Sequence, residues 1–225
     1  MKLSIIIPVY NEERTIKEII KEIQKLKIEK EIIVVDDGSN DNTPKILEKI
    51  KGIKIITHPK NFGKGKAIIT GIKYAKGDVI IIQDADLEYK PKDIPKLLKA
   101  IKLFNTDAVY GYRFIKRKGK KILIHDIGNM FLSFLTSILF GSSIPDMETG
   151  YKLIKRNVLN EISLTSRGFE IEAEITAKLL MKKCKVISIP IEFEARDFKE
   201  GKKIRIWDGF KAMFTLLKLR ISSRV

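Results

Sequence analysis

The residues best suited to chemistry in this chain are two carboxylates separated by one residue, Asp84 and Asp86, which follow the apolar run Val79-Ile80-Ile81-Ile82 after Gln83. In an extended chain alternate side chains share a face, so Asp84 and Asp86, with Glu88 if the extension continues, would point the same way. Carboxylates that close repel unless a cation or protons intervene. Oxygen ligands suit Mg²⁺ or Mn²⁺, ions that commonly bridge protein carboxylates to substrate phosphates. The plainer alternative is a helix-capping aspartate with a solvated neighbour. A second acidic pair, Asp36-Asp37-Gly38-Ser39, ends the apolar run Ile32-Ile33-Val34-Val35. One of its carboxylates could accept hydrogen bonds from a base or a ribose, but Asp-Gly is equally a common turn dipeptide. Gly63-Lys64-Gly65-Lys66 leads into a helical pattern. It fails both phosphate-loop fingerprints: Ile68 stands where the dinucleotide pattern needs glycine, and Walker A spacing is absent. A lysine near a diphosphate, with Lys66 the candidate, is what remains of that segment.

Such groups need a scaffold that brings them to one edge. Leu3–Pro8, Ile32–Asp36, Ile53–Thr57, Asp78–Gln83 and Ala108–Gly111 are strand candidates rich in Ile and Val, alternating with helical patterns. That alternation predicts an α/β fold with a mostly parallel central sheet flanked by helices. In open sheets of this kind ligands bind at the carboxyl ends of strands, where both acidic pairs fall. Ile16, Ile19, Ile20, Ile23 and Leu26 recur at helical spacing, with Asn11 as N-cap and Glu12 and Glu13 in the first turn. A second helix reads as capped by Thr43 with Pro44 at its first position. After Arg113 the composition changes: Lys116 to Lys121 form a basic loop, and the chain then turns strongly apolar. The chain reads as one domain, 1–225, with a nucleotide-handling half, 1–113, and an acceptor-handling half, 114–225. In the second half Phe131, Phe134, Leu135, Ile138 and Leu139 line one helical face, with Ser133, Thr136 and Ser137 away from it. Phe210, Met213, Phe214, Leu217 and Ile221 form a similar stripe beside Lys211, Lys218 and Arg220. Stripes of this kind ordinarily face a core, but two of them flanked by basic residues favour a membrane-facing role for at least one.

The 225 residues, 44% of them hydrophobic, can bury the core of one domain. Lys and Arg number 44 against 28 Asp and Glu, a net charge of +16, which suits phosphate-rich partners or an anionic membrane surface. The basic residues are spread along the chain without a helix-turn-helix, zinc-finger or aromatic single-strand pattern, which argues against nucleic acid. One cysteine, Cys184, allows no internal disulfide and fits a reducing compartment. No secretory signal opens the chain, and Met130 to Phe140 is shorter than the ~20 apolar residues of a spanning helix. The expected location is cytoplasmic, peripheral on the cytoplasmic face of a membrane.

The motifs taken together carry a family likeness. Ile7-Pro8-Val9-Tyr10-Asn11-Glu12, Val34-Val35-Asp36-Asp37-Gly38-Ser39 and Asp84-Ala85-Asp86-Leu87-Glu88 resemble glycosyltransferase family 2, of GT-A fold, in its dolichyl-phosphate mannose synthase-like branch. The likeness continues through Gly111-Tyr112-Arg113, Asp146 to Leu153, Gly168 to Glu172 and Gly201-Lys202-Lys203, nearly the whole chain. The resemblance implies a metal-dependent, inverting transferase moving a sugar, mannose or glucose, from GDP-mannose or UDP-glucose to a dolichyl or polyprenyl phosphate. It implies nucleotide-sugar contacts at Pro8, Tyr10, Asn11, Glu12, Val35, Asp36, Asp37, Lys66 and Ala85, and catalytic roles for Asp84, Asp86 and Arg113. Asp84, Asp86 and Glu88 would surround Mg²⁺ or Mn²⁺, Glu88 being a carboxylate where relatives carry an amide. Arg113, Arg196 and Lys202 would meet the acceptor phosphate, and Asp146, Thr149, Glu170 and Glu172 would shape the acceptor side. Ile124-His125-Asp126-Ile127-Gly128-Asn129 departs from the Arg- and Ser-bearing segment of related synthases. Members differ in carrying transmembrane helices, so a separate membrane-protein partner is a further expectation. Two rivals stand beside this reading. One is a saccharide or protein hydroxyl acceptor, which would demand a base such as Asp146 or Glu148; the other is a non-catalytic basic module.

Overall fold

A computed structural model describes residues 1–113, 124–194 and 206–222. Its strands are β1 (Leu3–Val9), β2 (Lys30–Asp36), β3 (Lys54–Thr57), β4 (Val79–Ile82), β5 (Ala108–Arg113), β6 (Lys152–Lys155) and β7 (Val186–Ile191). Its helices are α1 (Ile16–Lys25), α2 (Thr43–Leu47), α3 (Lys64–Tyr74), α4 (Ile94–Leu103), α5 (Ile124–Phe140), α6 (Arg156–Asn160), α7 (Ile171–Met181) and α8 (Ile206–Ser222). One sheet runs in the order β3-β2-β1-β4-β6-β5-β7. All of its neighbours pair parallel except β6, which lies antiparallel between β4 and β5. Strands from both halves of the chain therefore share one sheet.

The central strands are apolar along their whole length because helices cover both faces of the sheet. Ile5, Ile7, Val34, Val79 and Ile81 point to the side where α1 and α4 pack, and Ile6, Ile33, Val35, Ile80 and Ile82 to the side of α3 and α7. Helix α1 buries Ile16, Ile19, Ile20 and Ile23 completely. It starts at Ile16 after Thr15, not near Asn11. Asn11 has φ +51° and uses Oδ1 to accept the Asn40 N–H, so it braces a loop instead of capping a helix. Thr43 likewise belongs to the first turn of α2, and its hydroxyl accepts the Glu12 N–H, tying the loops after β1 and β2 together.

Helix α5 splits the expected stripe, with Leu135 and Leu139 packed against the core. Leu132, Ser133 and Thr136 face the core, while Phe131, Phe134 and Ile138 face outward. The polar residues can turn inward because each finds a partner. Thr136 Oγ1 donates to the Leu132 carbonyl, and Ser133 Oγ accepts the Met147 N–H. Helix α8 packs against α5 and α7. It buries Ala212 and Leu216 and exposes Trp207, Phe210, Phe214 and Ile221. Helices α5 and α8 thus each keep some apolar side chains on the core and leave others exposed. No described helix is long and apolar enough to cross a membrane.

Candidate active site

Strand order fixes where a ligand can enter. From β1 the chain steps outward through β2 to β3, then returns to place β4 on the other side of β1. The loops leaving the carboxyl ends of β1 and β4 therefore diverge, and the gap between them is the crevice in which open α/β sheets hold ligands. A cavity of about 570 Å³ fills it, walled by Pro8, Tyr10 and Glu12 after β1 and by Asp84 to Asp86, Glu88 and Tyr89 after β4.

Asp84 and Asp86 share this cavity, but not as alternate residues of a strand. β4 ends at Ile82 and the chain turns, with Leu87 at φ +64° and the Glu88 N–H donating to Asp86 Oδ1 at 3.2 Å. Asp84 Oδ1 lies 2.8 Å from Lys64 Nζ at the start of α3, and the same ammonium lies 3.3 Å from Glu172 Oε1 on α7. Burial alone would lower the Lys64 pKa, but the charges of Asp84 and Glu172 outweigh it and hold the ammonium protonated. A Cβ at Gly150 would come within 2.6 Å of Asp84 Oδ2, so the bare glycine backbone is what lets the carboxylate fit.

At one end Pro8, Tyr10, Glu12, Asp37 and Asn61 line the cavity. Asp37 is also a loop organiser: Oδ1 meets His58 Nδ1 at 2.6 Å and accepts the Phe62 N–H, and Oδ2 accepts the Gly63 N–H at 2.7 Å. Asp36 is buried outside the cavity lining, with Oδ1 accepting the Ser39 N–H. Val35 lies in the core of β2, and Asn11 and Lys66 also fall outside the lining. Ala85 lies within it.

The other end is built from Arg113, Glu148, Gly150, Gly168, Phe169 and Glu172. Arg113 Nε and Nη2 donate to the two oxygens of Asp146 at 2.7 Å each, a bidentate clamp. Burial opposes the Arg113 charge, but Tyr89 and Asp146 more than offset it, so the guanidinium stays charged. The Asp146 pKa is lowered: burial pushes it up, and Arg113 pulls it down further. Asn129 of α5 donates to Asp146 Oδ1 at 2.9 Å, which joins this end of the cavity to the helix carrying the exposed aromatic face. Asp146 itself, Thr149 and Glu170 stand behind the wall instead of lining it. Arg196, Lys202 and the basic loop at 116–121 lie outside the described residues.

Residues 4–163 match glycosyl transferase family 2. The chain is 31% identical over 240 residues to UDP-N-acetylglucosamine–dolichyl-phosphate N-acetylglucosaminyltransferase of Methanococcus voltae, covering 96% of this chain and 95% of that protein. It is 32% identical over 232 residues to dolichol-phosphate mannosyltransferase of Pyrococcus furiosus, covering 97% of this chain and 64% of that one.

The chain belongs to glycosyltransferase family 2.

Its fold matches glucosyl-3-phosphoglycerate synthase from Mycobacterium tuberculosis, solved with Mn²⁺ and UDP-glucose, at a TM-score of 0.77 and 18% identity, over 97% of this chain and 78% of that one. The architecture of this glycosyltransferase is accordingly GT-A, a mixed α/β sheet flanked by helices.

The donor set of the transferase suits a hard divalent cation shared with a substrate. Among the described residues no three carboxylates, imidazoles or thiols come together at metal-ligand spacing. Asp84 and Asp86 line one cavity large enough for a diphosphate, and Mg²⁺ or Mn²⁺ is ordinarily held by one or two carboxylates with the remaining positions filled by phosphate and water. The site therefore fits such an ion without a third protein ligand. Glu88, the third carboxylate expected there, lines the same cavity.

Lys64 and Lys152 escaped the sequence reading, whereas Glu172, expected on the acceptor side, pairs with both. Lys64 stands in a segment without a phosphate-loop glycine pattern, and a lysine at the start of a helix facing an acidic strand end is the signal that marks it. Lys152 and Glu172 are almost fully buried, joined at 2.6 Å, with Lys152 Nζ also donating to the carbonyls of Met147 and Thr149. Burial would raise the Glu172 pKa, but Lys152 and Lys64 lower it. Lys152 opens the short strand β6, and nothing in its local pattern announces an ion pair with a residue of α7.

Proposed function

We propose that this glycosyltransferase moves a hexose from a nucleoside diphosphate sugar to a polyprenyl or dolichyl phosphate at the cytoplasmic face of a membrane, with Mg²⁺ or Mn²⁺ as its cofactor. The observation that carries the reading is one cavity that holds both Asp84 and Asp86 at the switch point and ends at Arg113, which is coupled through Asp146 to α5. The nucleoside lies against Pro8, Tyr10, Glu12 and Asp37, with the diphosphate beside Asp84, Asp86 and Lys64. Asp84 and Asp86 would hold the divalent ion, which would supply charge neutralisation to the departing diphosphate. Lys64 adds a fixed positive charge in the same low-dielectric pocket.

The acceptor phosphate oxygen attacks the anomeric carbon from the face opposite the diphosphate. A C–O bond forms to the lipid phosphate, the bond to the donor's β-phosphate breaks with its electron pair leaving on the diphosphate, and the configuration inverts. No side-chain base is needed, because a phosphate monoester with a second pKa of about 6 is already largely ionised near neutral pH. Arg113 lies at the end where that anion approaches, and guanidinium is well matched to phosphate oxygens. The relatives named for transfer to dolichyl phosphate support the same acceptor class.

The exposed faces of α5 and α8 are the membrane-contacting surface in this reading, an apolar patch with Lys211 and Lys218 exposed beside it. The test is incubation with Mn²⁺, GDP-mannose, UDP-glucose and UDP-N-acetylglucosamine, with and without a short polyprenyl phosphate. Sugar-lipid product is expected, and Asp86→Asn is expected to cut its rate by about 10²–10³-fold or more with the fold intact. Transfer to hydroxyl acceptors alone would overturn the acceptor assignment. Near-normal turnover by Asp86→Asn would remove the metal role.

A further inference from the structure

The segment from Asp146 to Gly150 is pinned almost atom by atom. Asp146 is clamped on Arg113, the Met147 N–H donates to Ser133 Oγ, and the carbonyls of Met147 and Thr149 both accept from Lys152 Nζ. The Glu148 N–H reaches Asn129 Oδ1 at 3.3 Å, and the Gly150 N–H donates to Tyr89 Oη at 2.8 Å. Within this fixed strip Glu148 sends its side chain to the cavity wall. Its Oε1 is shielded from solvent and has no hydrogen-bond partner among the described residues. A buried acceptor left without a donor costs about 1–3 kcal/mol, so a rigid strip that holds one there is built to be completed by something else.

The chemistry of that partner is constrained by its surroundings. Glu172 is a second carboxylate lining the same cavity, and an ionised phosphate has no hydrogen to offer either one, so the acceptor anion is left to Arg113. The group that fits is neutral and carries O–H or N–H donors.

We propose that Glu148 is a specificity-determining residue that reads the donor's hexose, its carboxylate rotating so that the oxygen now shielded accepts a hydrogen bond from a sugar hydroxyl or from the N–H of a sugar acetamido group. This rests on the transferase reading above and assigns one contact within it. It also gives Glu148 a role other than that of a general base.

Calorimetric titration of the full chain in Mn²⁺ tests it, using GDP and UDP against GDP-mannose, UDP-glucose and UDP-N-acetylglucosamine. Glu148→Ala should bind the matching bare diphosphate as the unaltered protein does, and should bind the preferred nucleotide sugar about 10- to 100-fold more weakly. Glu148→Gln keeps an acceptor oxygen and should recover part of the loss. A series of monodeoxy donor sugars should be discriminated at one position by the unaltered protein and not by Glu148→Ala. Equal weakening of diphosphate and nucleotide sugar would make Glu148 a structural residue and overturn the assignment. So would unchanged binding of both, and so would unchanged binding with a fall in transfer rate alone, which would mark a base. If the unaltered protein binds no nucleotide sugar, the transferase reading itself fails. Binding by the unaltered protein with no change in the variant overturns only the role of Glu148.

Discussion

At the scale of single residues, Glu148 gives the protein a pH signature independent of any ligand. Burial raises its pKa from 4.5 to about 7, with Lys152 and Arg113 pulling it down and Glu172 and Asp146 pushing it up. Its backbone also meets the neutral Asn129 of α5. The folded protein therefore holds a proton here that the unfolded chain releases near pH 4.5. The stabilisation is complete below that pH and is lost as pH rises through about 7. Because the residue as a whole is only half-buried, we take the loss as about 1–2 kcal/mol. Urea unfolding at pH 5 and pH 8 should show Glu148→Gln losing less stability across the interval than the unaltered protein by that amount; identical losses would refute it. Asp84 and Asp86 were legible in the sequence as a chemical pair because an acidic pair after an apolar strand is a local pattern. The partners of Asp84 and Glu148, by contrast, arrive from β5, β6, α3, α5 and α7, and no local pattern carries such long-range meetings. The legible pair was right about the cavity and wrong about the backbone that presents it, since a turn replaces the extended chain.

At the scale of elements, the loop before β6 sets the position of Asp84 by leaving room for it. Gly150→Ala would drive a methyl group to within 2.6 Å of Asp84 Oδ2 and 3.2 Å of the Tyr89 ring. The carboxylate has to swing, whereas the surrounding helices do not. Mn²⁺-dependent nucleotide binding should weaken about 10-fold or more, with a melting temperature lowered by only a few degrees. Undiminished affinity would show that Asp84 does not set the site. The strands β1 to β5 could be read in advance because runs of Ile and Val bounded by turn residues mark strands covered on both faces. β6 and β7 could not: β6 begins and ends with lysine and β7 contains Pro190. Helix α5 was recognised as amphipathic, but its stripe divides between core and solvent. Periodicity finds a stripe without saying which side the protein covers, and here Ser133 and Thr136 are satisfied inside by Met147 and Leu132.

At the scale of the whole molecule, the site lies at one edge of the sheet and the outward aromatic faces of α5 and α8 lie on the second half of the chain, linked to it through Asn129, Asp146 and Arg113. A surface of this kind should bind anionic vesicles in a salt-sensitive way. The double variant Phe134→Asp, Phe214→Asp replaces two side chains that are 63% and 68% exposed. It should lose vesicle co-sedimentation about 10-fold while keeping its melting temperature; retained binding would place the membrane contact elsewhere. The family and the sheet were legible from motif order, because motifs at strand ends survive wherever the fold is kept. Which helix faces stay exposed was not, because that depends on how α5 and α8 pack on α7. The most direct test of the account is anomalous scattering at the manganese edge from a crystal grown with Mn²⁺ and the bound nucleoside diphosphate. A peak between the carboxylates of Asp84 and Asp86 and the diphosphate oxygens is predicted. Ordered nucleotide with the manganese peak elsewhere, or with none, would contradict it.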